Sequence, residues 1–143
     1  AREIAIGAVS VESIEVNYHP ISELNADNVE QASALIIGSP SYFGNPVPEV
    51  GEFWKRISHL RSSMQGRVGA AFSTGIHQSG GRETTIMSII HSMLIFGMIV
   101  AGDPLETGGH YGLTVFGDAS EKSLEAARKF GRRIAEITVR LEA

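Results

Sequence analysis

The sequence predicts an α/β fold, a doubly wound parallel sheet lying as the middle of three layers between helices. Short apolar runs of strand length, Ala34–Ile37 and Val68–Phe72, alternate with longer stretches whose apolar residues recur every three or four positions. Runs that are apolar at every position belong to strands buried on both faces, and such strands occur where helices cover both sides of a parallel sheet. The 16 glycines cluster in the segments that follow these runs. In open α/β sheets those segments lie at the carboxyl ends of the strands, where ligands bind.

Taken in order, Ala1–Val9 places Ile4, Ala5 and Ala8 on one helical face and reads as the back end of a helix. Ser13–Val16 alternates polar and apolar residues, as a half-buried strand does. Asp27 is placed to cap a short helix ending near Ser33, and Ala34–Ile37 is the first buried strand. Asn45 is placed to cap a helix whose first turn accommodates Pro46 and Pro48. That helix presents Val50, Phe53, Trp54, Ile57 and Leu60 to a core. Val68–Phe72 is the second buried strand. A helix over 83–96, a strand over 98–101 and a strand segment over 113–116 follow. Ser120 caps the last helix, with Leu124, Ala127, Ile134, Ile137 and Leu141 inward and the Glu125/Lys129 and Glu136/Arg140 pairs outward.

Composition narrows the function. At 143 residues, with 43% hydrophobic and 20% charged, the chain makes a single domain over 1–143 with a packed core. A net charge of −4 argues against nucleic acid as a partner. The absence of cysteine excludes disulfides, iron–sulfur ligation and a thiolate nucleophile, and is compatible with a reducing cytoplasm. The longest apolar stretch, 86–102, is broken by Ser88, His91 and Ser92 and is no membrane span. His19, His59 and His91 are not spaced as metal ligands, and Trp54 reads as core.

Three segments carry chemistry. Gly38-Ser39-Pro40-Ser41-Tyr42-Phe43-Gly44-Asn45 joins two glycines, two hydroxyls and two adjacent aromatics to a helix start, where N–H groups lack intrahelical partners. It reads either as a strand-to-helix turn with core aromatics or as a ligand wall, and the whole octet favours the wall. Ser73-Thr74-Gly75-Ile76-His77-Gln78-Ser79-Gly80-Gly81-Arg82-Glu83 is long, polar and glycine-rich between a strand and a helix. It lacks the Gly-Lys-Ser/Thr ending of a P-loop, which leaves another ligand loop or a plain connector. Thr107-Gly108-Gly109-His110-Tyr111-Gly112 is explained by a tight turn nearly as well as by an imidazole and a phenol brought to a cleft.

On these residues, with Thr84-Thr85, Gly97-Met98, Ala126-Ala127-Arg128 and Gly131, the chain resembles the flavodoxin-like NAD(P)H:quinone oxidoreductases of the WrbA type, from about Ile4 to Leu141. The resemblance implies FMN as cofactor, NAD(P)H as donor and a quinone or other small molecule as acceptor. It places Pro40, Ser41, Tyr42, Phe43, Gly44 and Asn45 beside the isoalloxazine ring. Ser73, Thr74, Gly75, Ile76, His77, Gln78, Gly80 and Gly81 would line the ring's polar edge with backbone N–H groups, and His110 and Tyr111 would reach the substrate. Fixed N–H dipoles there stabilise negative charge on the reduced ring, so no catalytic acid, base or nucleophile is needed. The sequence departs from the family at Ile95-Phe96, where relatives often have His-His, at Leu60–Ser63, which lacks a tryptophan, and at His110, often proline.

The family's sheet order, 2-1-3-4-5, implies a central strand and phosphate loop ahead of Ala1. The expectation is a truncated chain, with two alternatives: the 13–16 strand pairs directly with the 34–37 strand, or a partner supplies the missing one. A flavodoxin-type electron carrier is the second functional reading. The basic residues of the last helix, Lys122, Arg128, Lys129, Arg132, Arg133 and Arg140, count against an acidic docking face. A flavin-less interaction module is the third. The apolar arc Ile86, Met87, Ile89, Ile90, Met93, Leu94, Ile95, Phe96 is wider than one sheet-facing stripe and points to a homodimer or homotetramer.

Overall fold

A computed structural model describes residues 1–143. The elements run α1 (Arg2–Val9), α2 (Ala26–Gln31), β1 (Ala34–Pro40), α3 (Pro48–Arg56), β2 (Val68–Gly75), α4 (Arg82–Ile95), β3 (Ile99–Val100), β4 (Leu113–Phe116) and α5 (Glu121–Glu142), with a 3₁₀ turn at Ser58–Leu60 and another at Leu105–Thr107. All strand pairs are parallel. β1 pairs with β2 from Ala34↔Val68 to Pro40↔Thr74. β3 and β4 both lie along the other edge of β2, β3 beside Val68 and Gly69 and β4 beside Phe72–Gly75. They are two halves of one strand position, parted by the excursion 101–112.

The sheet separates two cores, giving the expected three layers. On one face Leu35, Ile37 and Ala71 pack against Val50, Phe53 and Trp54 of α3, Ile57 just past its end, and Ile86, Ile89, Ile90 and Met93 of α4. On the other, Val68, Ala70 and Leu113 meet Ile4 of α1 and Ala127, Phe130 and Ile134 of α5. Here α1 is held across α5 by a 2.6 Å bond from Arg128 Nε to Glu3. Its hydrogen bonds to the carboxylates of Glu3, and then of Glu121, raise Arg128 above its already high ordinary pKa. Hydrogen bonds donated by its ammonium to Glu125 and Glu106 raise Lys129 likewise.

Several expectations are corrected. Residues 13–16 form no strand and do not pair with β1; alternation over four residues makes a strand only where a neighbour takes up the backbone N–H and C=O groups. The second edge of β1 carries no paired strand. Asn25, not Asp27, caps α2, its Oδ1 accepting from Asn28 N at 2.8 Å, and α2 ends at Gln31. α3 begins at Pro48 behind Val47, because Asn45 is occupied in the turn before it. Leu141 is exposed, since the last turn of α5 runs past the sheet, whereas Phe130, absent from the inward set, is fully buried. Glu136 pairs with Arg132 at 2.9 Å instead of Arg140, the same spacing taken in the other direction. Ser120 does cap α5, accepting from Ser123 N.

Candidate functional site

At the carboxyl ends of β1 and β2 the two glycine-rich segments meet. β1 leads into a tight turn in which Tyr42 and Asn45 exchange both backbone hydrogen bonds, each 2.9 Å. Its central residues, Phe43 (φ 50°) and Gly44 (φ 77°), are both left-handed. This is the geometry of a type I′ turn, in which glycine is at ease and phenylalanine is not. Asn45 Nδ2 donates to Phe43 O and braces the turn. The Phe43 ring is left fully exposed and Tyr42 largely so.

The β2 loop folds onto this turn through hydroxyls and bare backbone. Ser41 N donates to Thr74 O at 2.8 Å, and Ser41 Oγ donates to Gly80 O at 2.6 Å while accepting from Thr85 Oγ1 at 3.0 Å. Thr84 Oγ1, in the first turn of α4, lies within hydrogen-bond distance of Gly44 O at 2.7 Å and Gly81 O at 2.8 Å. Ser41→Ala removes the side chain that ties the two loops. It is expected to lower stability by about 1 kcal/mol in urea titrations, the usual worth of a hydrogen bond.

The loop's donors are free. Gly80 N bonds His77 O, but the N–H groups of Ile76, His77, Gln78 and Ser79 find no acceptor within the protein. Exposed apolar side chains stand around them: Ile76 (79% exposed), Tyr42, Phe43 and Phe116 at the end of β4. A patch of unengaged donors beside apolar walls suits a flat heterocycle with one polar edge. These residues fit a flavin ring. No group of three or more His, Cys, Asp or Glu is placed to hold a metal ion.

The structure thus brings Pro40–Asn45 and Thr74–Gly81 together. Ser73 lies beneath them, fully buried, with Oγ lacking a partner. His110 and Tyr111 lie on a third segment, the 101–112 excursion, both exposed. That excursion is knotted around the buried carboxylate of Asp103, which accepts from Thr107 Oγ1 (3.1 Å), Gly109 N (3.2 Å) and His110 N (2.7 Å). α5 tethers it through Lys129–Glu106 and Arg133 Nε–Gly102 O. Sequence reasoning did not assign site roles to Thr84, Thr85 and Asp103. Adjacent threonines opening a helix after a glycine pair were the available signal for the first two. A cavity of about 330 Å³, lined by Gln31, Arg67 and Thr138 among others, lies at the opposite, amino-terminal end of the strands and shares nothing with this site.

Comparison with known proteins agrees with this reading. The family model for NADPH-dependent FMN reductase matches residues 9–109. A protein of Solidesulfovibrio magneticus named NAD(P)H dehydrogenase (quinone) is 34% identical, over 99% of this chain and 79% of its own length. A flavodoxin of Aquifex aeolicus is also 34% identical, over 95% and 77%. Among solved structures, a WrbA-like flavodoxin protein from Agrobacterium tumefaciens superposes with a TM-score of 0.79 at 22% identity, covering 97% of this chain and 87% of that one. An archaeal flavodoxin does so with 0.79 at 24%. The likeness to those structures fixes the fold as flavodoxin-like, and with the sequence match over most of its length the chain belongs to the NADPH-dependent FMN reductase family.

Proposed function

We propose that the protein is an FMN-binding oxidoreductase that passes electrons from NAD(P)H to a quinone. The observation that carries this is the row of unengaged N–H groups at 76–79, closed against the Tyr42–Asn45 turn. The quinone-dehydrogenase relatives add the substrate class. FMN bound there would supply the redox chemistry, hydride acceptance from the nicotinamide and two-electron transfer to the acceptor. Ile76, His77, Gln78, Gly80 and Gly81 would supply backbone contacts to the ring's polar edge, with Thr74 and Gly75 at their base and buried Ser73 beneath. Pro40, Ser41, Gly44 and Asn45 would shape the wall that Tyr42 and Phe43 face. His110 and Tyr111 would meet the substrate.

Purified protein mixed with FMN should quench flavin fluorescence, and the complex should oxidise NAD(P)H with a quinone and no partner protein. The flavodoxin relative supports a second reading, an electron carrier. A carrier would bind FMN and leave NAD(P)H unoxidised under those conditions. Protein that leaves FMN fluorescence unchanged would reject both.

The same reading includes self-association and a cytoplasmic location. No helix is long and apolar enough to cross a membrane. Leu94 and Ile95 of α4 are 57% and 61% exposed, and Ile99 beside them is exposed as well. Such an apolar patch suits a subunit contact. Leu94→Glu with Ile95→Glu is expected to reduce the sedimentation mass to that of one chain while FMN binding persists. Wild type that already sediments as one chain would refute the contact.

A further inference from the structure

We propose that Arg82 is a positioning residue whose guanidinium fork turns the carbonyls of the 77–80 loop inward and so presents its N–H groups outward as a donor row. Nη1 reaches His77 O at 3.4 Å and Nη2 reaches Gln78 O at 3.3 Å. The guanidinium carbon sits 5.2 Å from the centre of the Phe116 ring, a cation–π seat at the end of β4. Nε is buried without an acceptor. A free surface arginine would avoid that cost by swinging into water, so fork and ring together hold it in.

The consequence follows from peptide geometry. Every peptide bond here is trans, so the N–H of one residue points opposite to the carbonyl of the residue before it. Carbonyls 77 and 78 turned toward Arg82 direct the N–H groups of Gln78 and Ser79 away from it. Gly80 O, held by Ser41 Oγ, does the same for the N–H of Gly81. None of these three N–H groups has an acceptor in the protein. A run of donors aimed one way is a nest for negative charge. Lysine cannot replace this fork, because its ammonium is a single point that cannot hold two carbonyls in a plane.

The outward half of this proposal rests on the flavin reading; the strap itself does not. The test compares wild type, Arg82→Gln and Arg82→Lys, each first without flavin. In ¹⁵N relaxation the amides of 76–81 should be rigid in wild type, near an order parameter of about 0.85, and fall below about 0.6 in Arg82→Gln. Arg82→Lys should fall between them. FMN titration of wild type decides the flavin reading separately. With binding established, Arg82→Gln should weaken it roughly 10–100-fold, the loss of one hydrogen bond to a charged group, and move the midpoint potential of bound FMN to more negative values. Unchanged loop mobility in Arg82→Gln would overturn the proposal. So would Arg82→Lys indistinguishable from wild type in mobility and affinity, since charge alone would then account for the effect.

Discussion

Gly131→Ala should destabilise the protein strongly, although it places the best helix former inside a helix. A Cβ at Gly131 would lie 1.9 Å from the carbonyl oxygen of Ile4 and 3.1 Å from the nitrogen of Ala8. The obstruction is backbone, which has no rotamer to escape into. α1 and α5 cross in direct main-chain contact, and the reciprocal position, Gly7, faces Arg128 O in the same way. To admit a methyl group α1 must retreat bodily, loosening Ile4 from Ala127, Phe130 and Ile134 and stretching the Glu3–Arg128 bond. Overpacking of a tight core costs typically 1–3 kcal/mol and occasionally more. The rigid obstacle places this case at or above the upper end. The helix propensity of alanine over glycine returns about 1 kcal/mol, which leaves a net loss of about 2 kcal/mol or more. Gly51→Ala is the control: it is the same substitution in the exposed interior of α3, with nothing within 4 Å of the new carbon. It should stabilise by up to about 1 kcal/mol. Urea denaturation of the two variants should move in opposite directions, and a neutral or stabilised Gly131→Ala would show that α1 does not pack this closely.

That crossing is also where reading from residues alone reaches its limit. Gly131 belongs to a motif in the sequence, but its role is set by a helix more than a hundred residues earlier. The helices and buried strands were legible because their signal is local. The spacing of Val50, Phe53, Trp54 and Ile57 puts all four in one core, and the run Ala34–Ile37 is a strand, although at the edge of the sheet with alternate residues, not all, buried. Ser13–Val16 has an equally local pattern and forms no strand, because strand formation depends on a neighbour that no pattern reports. The site divides in the same way. Clustered glycines marked 38–45 and 73–81 as loops of interest, and they do converge. Which N–H groups point outward depends on how single peptide planes are turned by Ser41, Thr84 and Arg82, and composition holds no trace of that.

Gly81→Ala should leave the core folded and dismantle the candidate site. Gly81 precedes α4 at φ +75°, a left-handed conformation that costs a residue with a Cβ about 1–2 kcal/mol. A Cβ there would also lie 2.5 Å from the Cα of Gly44 and 2.9 Å from Thr84 Oγ1. The first contact is again backbone, so the Tyr42–Asn45 turn must lift away from the β2 loop. The bond from Thr84 to Gly44 O goes with it. Both segments are surface loops, so the buried clusters stay packed and stability falls by little more than the strain, about 2 kcal/mol. Flavin affinity should fall much further, roughly 100-fold, because a ring held between two walls loses contact area and oriented donors when they part. Gly44→Ala separates strain from steric wedge. Gly44 is also left-handed, at φ +77°, yet its new carbon would meet only the Thr84 hydroxyl at 3.1 Å, and that hydroxyl can rotate. It should cost similar stability and weaken FMN binding far less. If both variants bound FMN as wild type does, closure of the two loops would not be what forms the flavin site. If Gly44→Ala weakened binding as much as Gly81→Ala, turn conformation would matter and the distance between the loops would not.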